Sequence, residues 1–88
     1  MKNRLDLQLA LRAFQKIIDF GTKKDNEYIL NGLIASTDFD GYTLFIRDEH
    51  VCLSIFFHHK YELDSDNQIH NLQFFEKMEN IDKKYKQK

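Results

Sequence analysis

Several residue types are absent or scarce in this 88-residue sequence, and each absence excludes something. There is no proline and no tryptophan, so the sequence imposes no proline kinks or rigid proline turns. Cys52 is the only cysteine, which excludes an intramolecular disulfide and fits a reducing compartment without requiring one. Basic and acidic residues number 13 and 14, for a formal net charge of −1. That balance does not favour nucleic acid or an anionic membrane as a partner.

Long hydrophobic runs are also missing. No stretch approaches the roughly 18 apolar residues of a membrane span. Arg4, Asp6 and Arg12 interrupt the N-terminal segment, where a signal peptide would be continuously apolar. We therefore expect a cytoplasmic protein. The chain is 42% hydrophobic and 31% charged, which is typical of a globular domain. We expect one domain over residues 1–88, with residues 82–88 as a frayed, charged tail.

Apolar residues recur at helical spacing near both ends of the sequence. The first helix is predicted over residues 4–20, with Asn3 as its cap and Gly21 as the glycine that ends it. The second helix is predicted over residues 66–81, where Ser65 and Gln68 have the spacing of a capping box. Residues 22–27 are polar and are predicted to form a loop.

Between the predicted helices, apolar residues alternate with polar ones and turn residues separate the stretches. Asn31-Gly32 and Asp40-Gly41 are typical of two-residue hairpin turns, and Asp48-Glu49 marks a weaker third turn. Pairing across all three turns places the apolar side chains, including Phe39 and Tyr42, on one face. The sequence therefore predicts an α+β fold of order α-β-β-β-β-α, a four-stranded antiparallel meander with both helices packed on one face.

The stretch DFDG at residues 38–41 resembles part of a calcium-binding loop. When that loop is aligned on Gly41, its twelfth position falls on Arg47. A bidentate carboxylate is needed there, so we interpret the stretch as a hairpin turn.

The second face of the predicted sheet mixes apolar and charged side chains. Ile29 is predicted to pair with Ile34, and Phe45 with Cys52. Such a face can hold scattered surface hydrophobes, can be covered by a helix, or can be an interface. The candidate interface consists of Ile29, Ile34, Phe45, Arg47, Phe56 and His58.

Residues that could carry chemistry do not form a recognisable site. His50 and Cys52 share a face but offer only two ligands, while a tetrahedral metal site needs four. His58 and His59 are adjacent, so in a strand they point to opposite faces. The sequence also contains no nucleophile, phosphate-loop or dinucleotide motif. We therefore expect no enzyme activity, no metal and no cofactor.

Two functional hypotheses remain. The leading one is a protein-interaction or regulatory module, whose partner is another protein or a second copy in a homodimer. The alternative is a single-stranded nucleic-acid-binding module that uses Phe45, Phe56, Arg47, His58 and Lys60. The acidic residues Glu27 and Asp38 on the same face argue against the alternative, because they would repel phosphates.

The stretches LRAF (11–14), TDFDGYTL (37–44) and VCLSIFFHHKY (51–61) resemble a family of short bacterial proteins of unknown function. The resemblance spans most of the chain, from the first predicted helix to the second. It implies a small bacterial cytoplasmic protein. It brings no catalytic residues, so no role is transferred to any position.

Overall fold

A computed structural model describes residues 6–56 and 60–85 of the chain. Helix α1 (Leu7–Phe20) precedes six strands, and helix α2 (Gln68–Lys84) follows them. The strands pair antiparallel in chain order from β1 to β6. The predicted α+β class with two helices and an antiparallel meander is confirmed, but the sheet has six strands rather than four. The strands are β1 (Thr22–Lys24), β2 (Glu27–Leu30), β3 (Leu33–Thr37), β4 (Thr43–Arg47), β5 (Val51–Phe56) and β6 (Lys60–Ser65).

Strand β1 lies where the sequence pattern predicts a polar loop. All three of its residues are exposed, so there is no apolar alternation to indicate a strand. Its pairing with β2 places Lys24 opposite Glu27, and Asp25 takes a positive φ of 56° in the connecting turn. Strand β1 is therefore an edge strand held by backbone pairing, and residue patterning alone does not reveal it.

Strand β6 is the second strand that the sequence pattern misses, because the prediction merges it with β5. Phe56 pairs with Lys60, so the chain reverses between them. In this register odd-numbered residues of β5 face odd-numbered residues of β6, as in the prediction: Ile55 pairs with Tyr61 and Leu53 with Leu63. The predicted shared face of these four residues is therefore confirmed. Phe57 and His59, also predicted on that face, lie outside the described residues.

The three predicted turns have different outcomes. At Asn31-Gly32 both residues have positive φ (49° and 84°), and Leu30 pairs with Leu33 as predicted. The second hairpin has the predicted register, since Thr37 pairs with Leu44, but its two-residue loop is wrong. Both strands stop before that loop, and residues 38–42 form a wider one.

The loop over residues 38–42 forms because the carboxylate of Asp38 accepts backbone N–H groups inside it. Asp38 Oδ1 lies 2.7 Å from the nitrogen of Gly41 and 3.1 Å from that of Tyr42. Phe39 and Tyr42, predicted on the apolar face, are consequently exposed. The DFDG stretch is thus part of a turn, as interpreted from the sequence.

The third turn lies one residue later than predicted. Arg47 pairs with Cys52 rather than with His50, and the two-residue loop is Glu49-His50. The reason is Asp48, whose carboxylate accepts the N–H groups of His50 (2.8 Å) and Val51 (2.9 Å). Facing residues keep the same parity, so the core is unaffected.

The helix ends also differ from the prediction. Asp6 caps α1 by accepting from the nitrogens of Gln8 and Leu9, and the predicted cap Asn3 lies outside the described residues. Asn67, rather than Ser65, caps α2. Gly21 does end α1, but with φ −81°, so positive φ is not the reason for glycine.

Gly21 is required by a close approach between α1 and β2. A Cβ atom at Gly21 would lie 2.5 Å from the carbonyl oxygen of Ile17 and 2.8 Å from that of Ile29. No side chain fits there without a backbone shift. The glycine therefore lets the chain pass directly from the helix into the sheet.

Both helices cover the same face of the sheet, with α1 against β2 and β3 and α2 against β5 and β6. Large apolar side chains of α1, β3, β4, β5 and α2 are buried between the layers. The fully buried ones include Ile17, Leu33, Ile46, Leu53, Ile55, Phe74, Met78 and Ile81. The predicted placement of both helices on one face is confirmed.

A buried lysine joins the two helices. Lys16 is only 6% exposed, and its Nζ lies 2.7 Å from Asp82 Oδ1 and 2.9 Å from the Asp82 carbonyl oxygen. Arg12 Nε donates to the same carboxylate at 3.1 Å. Tyr85 packs against Phe20, with ring centroids 5.2 Å apart. Helix α2 therefore extends through residues 82–84, into the segment predicted as a frayed tail, and residues 86–88 lie outside the described part.

We predict that Leu53→Ala destabilises the fold by about 2–5 kcal/mol, because the fully buried side chain leaves a cavity that the sheet cannot fill. Urea unfolding followed by circular dichroism measures the change. Leu72→Ala is the matched control, since Leu72 is 45% exposed and should cost far less. Equal losses for the two variants would contradict the placement of the core.

Asp82 gives a prediction of pH dependence. Hydrogen bonds from Arg12 and Lys16 lower the pKa of Asp82 below its usual value of 3.8. Stabilisation by this carboxylate is therefore complete above that value and is lost as the pH falls through and below it. Asp82→Asn should lower the free energy of unfolding by about 1–3 kcal/mol near neutral pH, and the difference should shrink in acid.

The matched control for that experiment is Asp25→Asn, because an exposed turn position with positive φ accepts asparagine readily. Urea unfolding of all three proteins across the acid range checks the account. A deficit for Asp82→Asn that stays constant down to about pH 2 would show that the carboxylate charge is not responsible.

Candidate functional site

The side of the sheet opposite the helices forms the candidate site. Every second strand residue points to it, and none of these side chains is fully buried. Among residues 6–56 and 60–85, no helix packs on this side. The possibility that a helix covers this face is therefore excluded for the described residues. We call it the open sheet face, and its central members are Ile29, Ile34, Ser36, Thr43, Phe45, Arg47, Cys52, Ser54 and Phe56.

One row of the open sheet face crosses four strands. Ile29 pairs with Ile34, Ile34 with Arg47, and Arg47 with Cys52. Neighbouring strands lie about 4.8 Å apart, so these side chains are in contact range. Ile29 is 37% exposed. The row is apolar at one end and charged near its middle.

The next row contains Phe45, which pairs with Ser36 on one side and Ser54 on the other. The predicted pairing of Phe45 with Cys52 is therefore wrong, because the third turn lies one residue later. With these small neighbours the ring of Phe45 is only partly buried. Phe56 pairs with Thr43 at the end of the face. The structure thus brings together five of the six predicted interface residues, and His58 lies outside the described residues.

The charge of Arg47 is already balanced within the face. Its guanidinium nitrogen lies 2.8 Å from Glu27 Oε2, and both side chains are a little over one-third exposed. On β6, the exposed Lys60 is followed on the same face by Glu62 and Asp64. Each basic side chain near the Phe rings therefore has an acidic neighbour, which disfavours phosphate binding. The described residues of this face contain no cluster of unpaired basic side chains that would support the nucleic-acid hypothesis.

A second group of polar side chains lies where the β4–β5 turn meets the start of α2. His70 Nδ1 and Asp66 Oδ1 are 2.5 Å apart, and His50 Nδ1 lies 3.4 Å from Asp66 Oδ2. The two imidazole rings stack with centroids 3.7 Å apart and an interplanar angle of 9°. We call these three residues the His–Asp–His cluster. The hydrogen bond from His70 lowers the pKa of Asp66, which favours the carboxylate.

Both sides of the His–Asp–His cluster are held by side-chain-to-backbone hydrogen bonds. The Asp48 carboxylate fixes the turn that carries His50, and Lys77 of α2 donates to it at 2.9 Å. Burial alone would raise the pKa of Asp48, but the bonds from Lys77 and from the turn lower it overall. Asn67 Oδ1 accepts the N–H of His70 at 2.9 Å. The turn and the helix start are therefore fixed relative to each other.

A shallow cavity of about 390 Å³ connects the His–Asp–His cluster to the end of the open sheet face. Arg47, Cys52 and Asp64 line it from the face, and His50 and Asp66 line it from the β4–β5 turn and from the link between β6 and α2. The two features therefore adjoin each other.

Sequence reasoning places His50 and Cys52 on one face as a pair, but His50 lies in the turn and Cys52 in a strand. It also misses Asp66 and His70 as neighbours of His50. Their spacing of four residues at a helix start is the only sequence signal. His50, the third member, comes close to Asp66 and His70 only because the chain reverses between β5 and β6, and the sequence pattern does not show that reversal.

No described helix is both long enough and apolar enough to cross a membrane. In a comparison with protein families, a family model described as "Protein of unknown function (DUF3081)" matches residues 5–88. No curated protein and no solved structure matches the chain. The resemblance to a family of unknown function, predicted from the sequence, is confirmed.

Proposed function

The chain belongs to the DUF3081 family of proteins of unknown function, and we propose that it is a protein-interaction module whose open sheet face binds a second copy of the chain. The observation that supports this most is the two-sidedness of the sheet. One side packs against two helices, while the other presents Ile29, Ile34, Phe45 and Phe56 with no described element over them. Ile29 is exposed and the other three are partly exposed, and accessible apolar side chains grouped in this way tend to mark interfaces.

Charge favours a second copy as the partner. Glu27 and Arg47 lie side by side on the face, so a twofold arrangement can place each arginine near the partner's glutamate. The two edge strands also differ in charge: β1 presents Lys24, whereas β6 presents Lys60 together with the acidic Glu62 and Asp64. A surface that carries both signs in this way is self-complementary.

The size of the face sets the expected strength of the dimer. Six strands at about 4.8 Å spacing and five residues at about 3.4 Å rise give roughly 24 by 17 Å. Side-chain relief makes the accessible area larger than this projected area of about 400 Å², so the face at most approaches the roughly 800 Å² per partner of a standard interface. We therefore expect a weak dimer that forms only as the protein concentration rises.

Sedimentation velocity over a range of concentrations tests the proposal. Wild-type protein should shift from monomer to dimer, and Phe45→Asp should remain a folded monomer, because the new carboxylate would be buried in the interface. Phe39→Asp is the matched control. Phe39 is fully exposed in the 38–42 loop, off the open sheet face, so this variant should dimerise like the wild type.

Two results would overturn the proposal. One is wild-type protein that stays monomeric at the highest concentration reached. The other is equal loss of dimer in the Phe45→Asp and Phe39→Asp variants.

A labelled single-stranded oligonucleotide, added in parallel, tests the alternative function. Binding that weakens steeply with salt would indicate a phosphate-reading surface, and an apolar dimer would not show that dependence.

A further inference from the structure

The His–Asp–His cluster has the composition of a metal site. Each of the three residues offers one ligand atom, and these atoms all lie within 4.8 Å of one another. In a tetrahedral zinc site, with bonds of about 2.0–2.2 Å, ligand atoms are about 3.3–3.5 Å apart. The three side chains therefore need to adjust by no more than roughly 1.5 Å to surround one ion.

The adjustment involves side-chain movement only. Nδ1 of both histidines already faces the Asp66 carboxylate, so an ion entering there lies between three potential ligand atoms. Because the rings are parallel, their lone pairs do not converge, and one ring must turn. His50 is 43% exposed and Asp66 56% exposed, against 24% for His70. His50 and Asp66 can therefore move while His70 stays on the helix.

We propose that His50, Asp66 and His70 bind one divalent transition-metal ion, with Zn²⁺ as the ion that best suits the ligands. Imidazole nitrogen favours zinc and its neighbours in the first transition row, whereas calcium and magnesium prefer oxygen ligands. Three protein ligands leave the fourth tetrahedral position to water. This inference revises the sequence-based expectation of no metal, which rested on spacing along the chain.

The location gives the bound ion a structural consequence. His50 belongs to the β4–β5 turn, Asp66 to the link between β6 and α2, and His70 to the first turn of α2. The ion would therefore link the turn to the helix start, which the Asp48–Lys77 ion pair already joins. An ion that binds only the folded chain stabilises it. The site also adjoins the cavity next to Arg47 and Cys52, so it would brace one end of the open sheet face.

Isothermal titration calorimetry of the full chain, without a histidine tag, with ZnCl₂ tests the site. We expect one zinc ion per chain and a raised melting temperature. His50→Gln, His70→Gln and Asp66→Asn should each weaken binding by about tenfold or more. Asp64→Asn is the matched carboxylate control: Asp64 lines the same cavity but is not in the cluster, so this variant should bind like the wild type.

Spectroscopy of the wild type gives a readout that does not depend on the folding of any variant. Co²⁺ in a tetrahedral site has visible absorption bands, and it should broaden the imidazole NMR signals of His50 and His70 before those of other histidines. The double variant His58→Gln/His59→Gln should retain binding. The proposal would be overturned by the absence of zinc binding, or by binding that survives both His50→Gln and His70→Gln while the double variant abolishes it.

Discussion

Burial of a single face of the sheet under both helices is the constraint on which the rest of the structure depends. Buried and partly exposed residues alternate along β3, β4 and β5, so that all the buried side chains of these strands lie on one side. Two helices are needed to cover that side, and the Lys16–Asp82 pair fixes them against each other. Because both helices pack on that side, no helix of the described chain covers the opposite side. The open sheet face is thus a consequence of how the core is built.

Asp48 connects the two candidate features of the surface. Its side chain is almost completely buried and binds Lys77 of α2, and it also sets the turn at Glu49-His50. That turn moves His50 out of the strand and towards Asp66 and His70, where the cluster forms. The same turn places Cys52 beside Arg47 on the open sheet face. The buried Asp48 carboxylate therefore determines the positions of both His50 and Cys52, which line the cavity from its two sides.

The sequence predicts the parts of this fold that depend on local pattern. Residue parity across the Asn31-Gly32 hairpin, the apolar face and the two helices all follow from periodicity and turn chemistry. The edge strand β1 has no apolar pattern, and the reversal into β6 leaves parity unchanged, so neither could be read from alternation. The interface candidates were predictable because they follow parity. The His–Asp–His cluster was not, because it depends on where β6 returns the chain to α2.

The most direct test of the open sheet face as a self-association surface is a dilution series of amide NMR spectra. Mapping concentration-dependent shifts onto the chain locates the interface without any substitution. The account predicts shifts concentrated in β2 to β5, at and around Ile34 and Phe45, with α1 and α2 unchanged. Shifts centred instead on the exposed side of α2, around Ile69 and Leu72, would contradict it, and so would spectra that do not change with concentration.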